Sequence, residues 1–243
     1  MKSTIPNSIT ALNLFCGCTA VLGFLSEEYL LGVIFVVISI IADFFDGLSA
    51  RLLNAQSELG KQLDSLADMI SFGLVPGVIL FKALTGPFQI STNYISAASN
   101  QYYLPLLGFL ITIFSALRLA KFNIDSRQTK SFIGLPTPAN TIFFLTIPLI
   151  WINETSEKWI YKLTLNKPIL IGLILLFSYL LIAEIPLLAL KFKGFRFKEN
   201  IYRYILLMIG LIGILTLKHL SIPFILIIYI LISWIENTSK RKN

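Results

Sequence analysis

The stretch Asp43-Phe-Phe-Asp46-Gly47-Leu-Ser-Ala50-Arg51, followed eight residues later by Gly60-Lys-Gln-Leu-Asp64-Ser-Leu-Ala-Asp68, decides how this chain is read. Four aspartates fall within 26 residues of largely apolar sequence. On helices, Asp43 and Asp46 stand three apart and share a face; Asp64 and Asp68 stand four apart and share another. Two such helices packed side by side bring all four carboxylates to one point. A bare cluster of that kind is self-repelling and costly to bury, so the spacing predicts a hard divalent cation held by oxygen ligands. Two solvated helix ends with aspartates facing water would give the same spacing. The residues between the aspartates favour the metal. Gly47 and Gly60 let the backbone approach a flat ligand, Ala50 continues that small surface, and Arg51 offers a guanidinium shaped for phosphate oxygens. Tight helix packing would explain either glycine alone. Together with four aspartates and an arginine, they suit a metal-bound diphosphate joined to a planar base.

The surroundings are those of a membrane protein. The chain is 56% hydrophobic and 14% charged, with a mean hydropathy of +0.78, outside the range of ordinary soluble domains. Its 243 residues are spent mostly on apolar runs, so one membrane domain over 1–243 is expected. The formal charge of +7 needs no nucleic acid, because membrane proteins gather Lys and Arg on the cytoplasmic side. Cys16 and Cys18 read as small buried hydrophobes, and neither a zinc site nor a disulfide framework is implied. His219 receives no role.

Eight spans are expected, near 8–25, 29–49, 62–82, 102–121, 137–153, 168–190, 201–217 and 221–236. Lys2 before an apolar run imitates a signal peptide, but that run leads directly into the next span and is read as retained. With both termini in the cytoplasm, the outer side holds Lys82, Lys158, Lys162, Lys167 and Lys218, and the inner side the other 15 of the 20 basic residues. That bias sets the orientation and opens the aspartate cluster toward the cytoplasm. The uncharged stretch from Thr85 to Gln101 is expected outside. Lys191 to Lys198 is read as a basic, aromatic loop lying on anionic headgroups.

The pattern Asp-x2-Asp-Gly-x2-Ala-Arg-x8-Gly-x3-Asp-x3-Asp resembles the signature of the CDP-alcohol phosphotransferases, with all eight fixed positions present. The resemblance implies an integral membrane enzyme that cleaves a CDP-linked lipid and transfers its phosphatidyl group to an alcohol. It implies that Asp43, Asp46, Asp64 and Asp68 ligate Mg2+ or Mn2+, with Asp68 also the general base. Gly47, Ala50, Arg51 and Gly60 would line the CDP pocket, Ser57 would reach the diphosphate, and Asn7 and Thr10, in Pro6-Asn7-Ser8-Ile9-Thr10, would flank the nucleotide. Asn13 to Gly17, Arg118-Leu-Ala-Lys121-Phe-Asn123 and Phe132 to Pro138 look like the phosphatidylserine synthase branch. That branch usually has Arg where Lys121 stands, a departure that keeps the charge. The likeness covers residues 5–140 well; later spans match in hydrophobicity alone. It implies CDP-diacylglycerol and L-serine as substrates, membrane lipids as surroundings, a homodimer and an inner-membrane location. On that basis 1–190 is the catalytic core and 191–243 adds two helices.

Arg118 and Lys121, at the cytoplasmic end of the fourth span, are cations for the serine carboxylate or the diphosphate, or else snorkelling anchors. Gly134-Leu-Pro136-Thr-Pro138 is a stiff turn into span five. Glu184 is placed inside span six, with a hydrogen bond across helices as its expected role. Glycerol 3-phosphate or inositol phosphate as acceptor would require a denser cationic pocket than Arg118 and Lys121 supply. A cation transporter is the reading outside the family, but transport sites normally sit near mid-membrane on broken helices.

Overall fold

In membrane, helices gain little from apolar contact with one another, so close approach at small residues and shared polar groups decide how they associate. The computed structural model describes residues 3–86, 103–125, 132–153, 158–187 and 201–241. Its helices are α1 (Thr4–Leu25), α2 (Tyr29–Leu52), α3 (Glu58–Asp68), α4 (Val75–Thr85), α5 (Phe109–Ile124), α6 (Thr137–Ile152), α7 (Lys158–Thr164), α8 (Lys167–Ile182), α9 (Ile201–Leu217) and α10 (Ser221–Arg241). A π-helical segment, Met69–Leu74, joins α3 to α4 without a break.

Five helical stretches are long and apolar enough to cross a membrane: Thr4–Leu25, Tyr29–Leu52, Glu58–Thr85, Leu104–Ile124 and Ile201–Ser233. Counting α7 and α8, bent by 59° to each other, as one broken span makes six, and Thr137–Ile152 is apolar but shorter. The fold is therefore an all-α, multi-pass membrane bundle. The Ile201–Ser233 stretch is itself doubled back. Lys218 adopts φ 51°, α9 and α10 pack side by side, and Gly213 faces Ser221 and Ile225.

α1 is the hub. It packs along α2, along α3 and against the π segment, whereas α2 and α3 make little direct backbone approach to each other. The expected side-by-side pair of aspartate helices is thus replaced by two helices that meet across a third. Between them the chain turns on Asn54, at φ 48°. Ala55 N–H donates to Ala50 O at 2.9 Å and Asn54 N–H to Arg51 O at 3.2 Å, a left-handed cap that closes α2. Ser57 then opens α3, its Oγ accepting from Gly60 N–H at 3.0 Å, with Glu58 in the first turn at the positive end of the helix dipole.

At the other end of the bundle, Lys82 Nζ lies 2.9 Å from Glu27 Oε1, with the lysine side chain 1% exposed. This pair ties the α1–α2 turn to the end of α4. Beyond α8 the expectation fails: the helix stops at Ile182, and Glu184 lies outside it, exposed. Pro186 bars a continuing helix, and Pro186–Leu187 instead pairs antiparallel with Phe132–Ile133. Gly134 holds the adjoining turn at φ 78°, where a Cβ would come within 2.7 Å of Leu181 O, so glycine is required. Cys16 is buried as expected, but Cys18 is exposed on the outer face of α1. The Lys191–Lys198 loop, the 190/191 boundary and residues 87–102 of the outer loop lie outside the described residues.

Candidate active site

Asp43, Asp64 and Asp68 converge, each offering an oxygen so that all three lie within 4.8 Å of one another. Asp46, one turn beyond Asp43, does not join that group; it is buried and accepts the Thr10 hydroxyl at 2.7 Å. Thr10 Oγ1 also bonds Pro6 O at 3.1 Å. Among the described residues no Lys or Arg forms an ion pair with any of the four. Three half-buried carboxylates at that separation repel one another unless a cation lies between them. An oxygen-only set without a neighbouring thiol or imidazole is chemistry suited to Mg2+ or Mn2+. The residues present therefore fit the metal that the sequence implied.

The trio is held from behind by a residue to which the sequence reading gave no role. Asn13, fully buried on α1, donates from Nδ2 to Asp68 Oδ1 at 3.4 Å. Its Oδ1 accepts the Ser39 hydroxyl of α2, and its backbone carbonyl accepts Ser71 Oγ from the π segment at 3.1 Å. Asn13 thus links the two helices that carry the carboxylates and the π segment that follows them. A polar side chain in the middle of an apolar span was the available signal.

Beside the trio opens a cavity of about 740 Å³, whose walls include Asp46, Asp64, Gly47, Ala50, Arg51, Ser57 and Gly60, with Pro6, Asn7 and Thr10 from α1. The sequence-derived nucleotide residues are therefore brought together. Helix packing does not require Gly47: a Cβ there would meet no protein atom within 4 Å. Gly60 differs, since a Cβ would lie 3.1 Å from Ser57 Oγ and 3.2 Å from Asn7 Oδ1. Further wall residues, among them Gln56, Lys61 and Phe122, were not anticipated. Lys61 Nζ donates to Asn123 O at 3.0 Å and Asn123 Nδ2 to Ser65 Oγ at 2.8 Å, which fastens the end of α5 to α3 and fixes Phe122 in the wall.

The two cations paired in the sequence part company. Lys121 is exposed and not on the cavity wall. Arg118, one turn earlier on α5, is buried, 5.6 Å from the Phe122 ring centroid, with Nη1 3.4 Å from Thr137 Oγ1.

A carboxylate trio suited to a divalent cation lies beside a cavity whose wall includes Gly47, Ala50, Gly60 and Arg51, the arrangement the sequence led one to expect. The family description CDP-alcohol phosphatidyltransferase matches residues 3–190, most of the chain. The chain belongs to this family. Within it, the chain is similar to three proteins named CDP-diacylglycerol–serine O-phosphatidyltransferase. That of Helicobacter pylori (strain J99) is 29% identical over 233 residues, 95% of this chain and 90% of the relative. That of Methanocaldococcus jannaschii is 30% identical over 235 residues, 96% of this chain and 95% of the relative. That of Bacillus subtilis is 36% identical over 138 residues, 55% of this chain and 69% of the relative. As a CDP-alcohol phosphatidyltransferase, the chain is a transferase, and its eight fixed motif residues surround the cavity and the trio.

Proposed function

We propose that this chain transfers the phosphatidyl group of CDP-diacylglycerol to the hydroxyl of L-serine, giving phosphatidylserine and CMP in phospholipid biosynthesis. The observation that carries the reading is the trio Asp43, Asp64 and Asp68 beside a cavity walled by Gly47, Ala50, Arg51 and Gly60. The choice of serine is supported by the names of relatives alike over nearly the whole chain.

The lipid's acyl chains stay in the bilayer while CDP occupies the cavity, its base lying on the bare backbone at Gly47. Arg51 and Ser57 face the diphosphate, and Asn7 and Thr10 close the nucleotide side. Asp43, Asp64 and Asp68 would hold the metal, with Asp46 at the adjoining edge. Bound there, Mg2+ or Mn2+ neutralises diphosphate charge and favours departure of CMP. Asp68, oriented by Asn13, takes the proton of the serine hydroxyl, whose oxygen then bonds to the phosphorus bearing diacylglycerol as the bond from that phosphorus to CMP breaks. Arg118 receives the serine carboxylate. Lys121, exposed, serves as a headgroup anchor.

The chain crosses the inner membrane eight times with both termini in the cytoplasm, so that the cavity opens to cytoplasmic serine. It forms one domain, a core over 1–190 carrying the site and two added helices over 191–243, and it works as a homodimer.

The test is CMP release by the purified protein in detergent with CDP-diacylglycerol and Mn2+, comparing serine, glycerol 3-phosphate, inositol phosphate and no acceptor. Serine alone should drive release, chelation should abolish it and added metal restore it. Asp68→Asn should lower kcat by ~10²–10⁴-fold. Release with another acceptor keeps the family and rejects serine; no release with any acceptor favours transport.

A further inference from the structure

Where α5 and the first turn of α6 meet the π segment, buried polar atoms accumulate without hydrogen-bond partners. They are Ser115 Oγ, Arg118 Nε and both amide atoms of Asn140. Asn140 is 0% exposed and Arg118 7%. The three residues converge on the segment that follows Asp68. A Cβ on Gly73 would lie 3.2 Å from Ser115 Cβ. Thr141, beside Asn140, donates to Phe72 O at 3.0 Å, and Arg118 bonds Thr137 one turn before Asn140. Asp68 and, from α10, Tyr229 are the ionisable groups near enough to act on the Arg118 charge.

A buried guanidinium without a carboxylate partner and a buried amide satisfied at neither end are each costly, and proteins keep such groups where something else completes them. The completing molecule must supply an anion for Arg118 and both a donor and an acceptor for Asn140. A phosphorylated polyol offers the amide oxygen only neutral hydroxyl donors, a weaker match than a charged ammonium. A small zwitterionic amino alcohol presents a carboxylate, an ammonium and a hydroxyl together.

We propose that Ser115, Arg118 and Asn140 form the acceptor subsite, with the guanidinium on the carboxylate and Asn140 Oδ1 receiving the ammonium, so that Asn140 selects an amino acid over a phosphorylated polyol. The inference rests on the serine reading above and deepens it. Asn140 is a binding residue here; Asp68 remains the base.

The experiment measures KM for serine and for CDP-diacylglycerol separately, with the thermal midpoint, in wild type, Asn140→Leu and Asn140→Asp. Losing one hydrogen bond to a charged group should raise the serine KM of Asn140→Leu roughly 10-fold or more. Its CDP-diacylglycerol KM should stay within about twofold and its midpoint should not fall, because an apolar group of similar shape replaces an orphaned amide. If that variant does not fold, Asn140→Asp decides: it keeps the shape and sets a negative charge against the ammonium, so the serine KM should fall with the lipid KM unchanged. An unchanged serine KM with an altered midpoint would mean a structural, water-filled site and overturns the proposal. An equal rise in both KM values overturns it as well. Failure of the serine reading itself shows separately, as wild-type release with a different acceptor.

Discussion

Gly47 lines the cavity with no side chain of its own. Glycine in a helix interior costs about 0.8–1.0 kcal/mol relative to alanine, and here no neighbouring protein atom requires it. Gly47→Ala should therefore leave the thermal midpoint unchanged or raise it, while the added methyl group enters the nucleotide cavity and raises the KM for CDP-diacylglycerol. A variant that loses stability and keeps its KM would return Gly47 to a packing role. Asn13 illustrates the opposite case. It spends a buried amide on three elements at once, and its bond to Asp68 turns a flexible carboxylate into a positioned one.

Among the elements, the π segment Met69–Leu74 matters most. A π turn shifts the hydrogen-bond register and leaves carbonyls in need of other donors. Here Thr141 supplies Phe72 O at 3.0 Å and Thr112 supplies Gly73 O at 3.0 Å. The wider turn directly follows Asp68, so α5 and α6 hold the register of that carboxylate through these two hydroxyls. Thr141→Val keeps the shape and removes one donor. It should lower stability by about 0.6–2 kcal/mol, the range for interhelical hydrogen bonds in membranes, and reduce kcat more than either KM. Wild-type kcat in a folded Thr141→Val protein would free the π segment from this role.

For the whole molecule, the question is which side the cavity faces. The chain puts the Ala55–Lys61 wall at one end of the bundle and the Lys82–Glu27 pair at the other. The excess of Lys and Arg on the cavity side predicts a cytoplasmic opening. With Cys16 and Cys18 first replaced by serine, a membrane-impermeant maleimide should label Gln56→Cys in inside-out vesicles and not in right-side-out ones, and Trp159→Cys in the reverse pattern. Labelling of Gln56→Cys from outside would reverse the orientation and withdraw cytoplasmic serine as the acceptor.

The sequence by itself determined the membrane class and most of the residues that gather at the carboxylate trio and the cavity beside it, because spacing within one helix fixes which side chains share a face. Asp64 with Asp68 needed only that, and so did Gly47, Ala50 and Arg51; bringing Asp43 to the α3 pair took the packing of both helices on α1. Tertiary structure alone decided what depends on two elements meeting. It placed α1 between the aspartate helices, turned Asp46 toward Thr10, and buried Arg118 while leaving Lys121 exposed. It also ended α8 at Ile182, where pairing with Phe132–Ile133 took over the backbone. Asn13 and Asn140 were visible as polar residues in apolar runs, yet their partners lie on other helices, and no periodicity along a single chain records a contact between them.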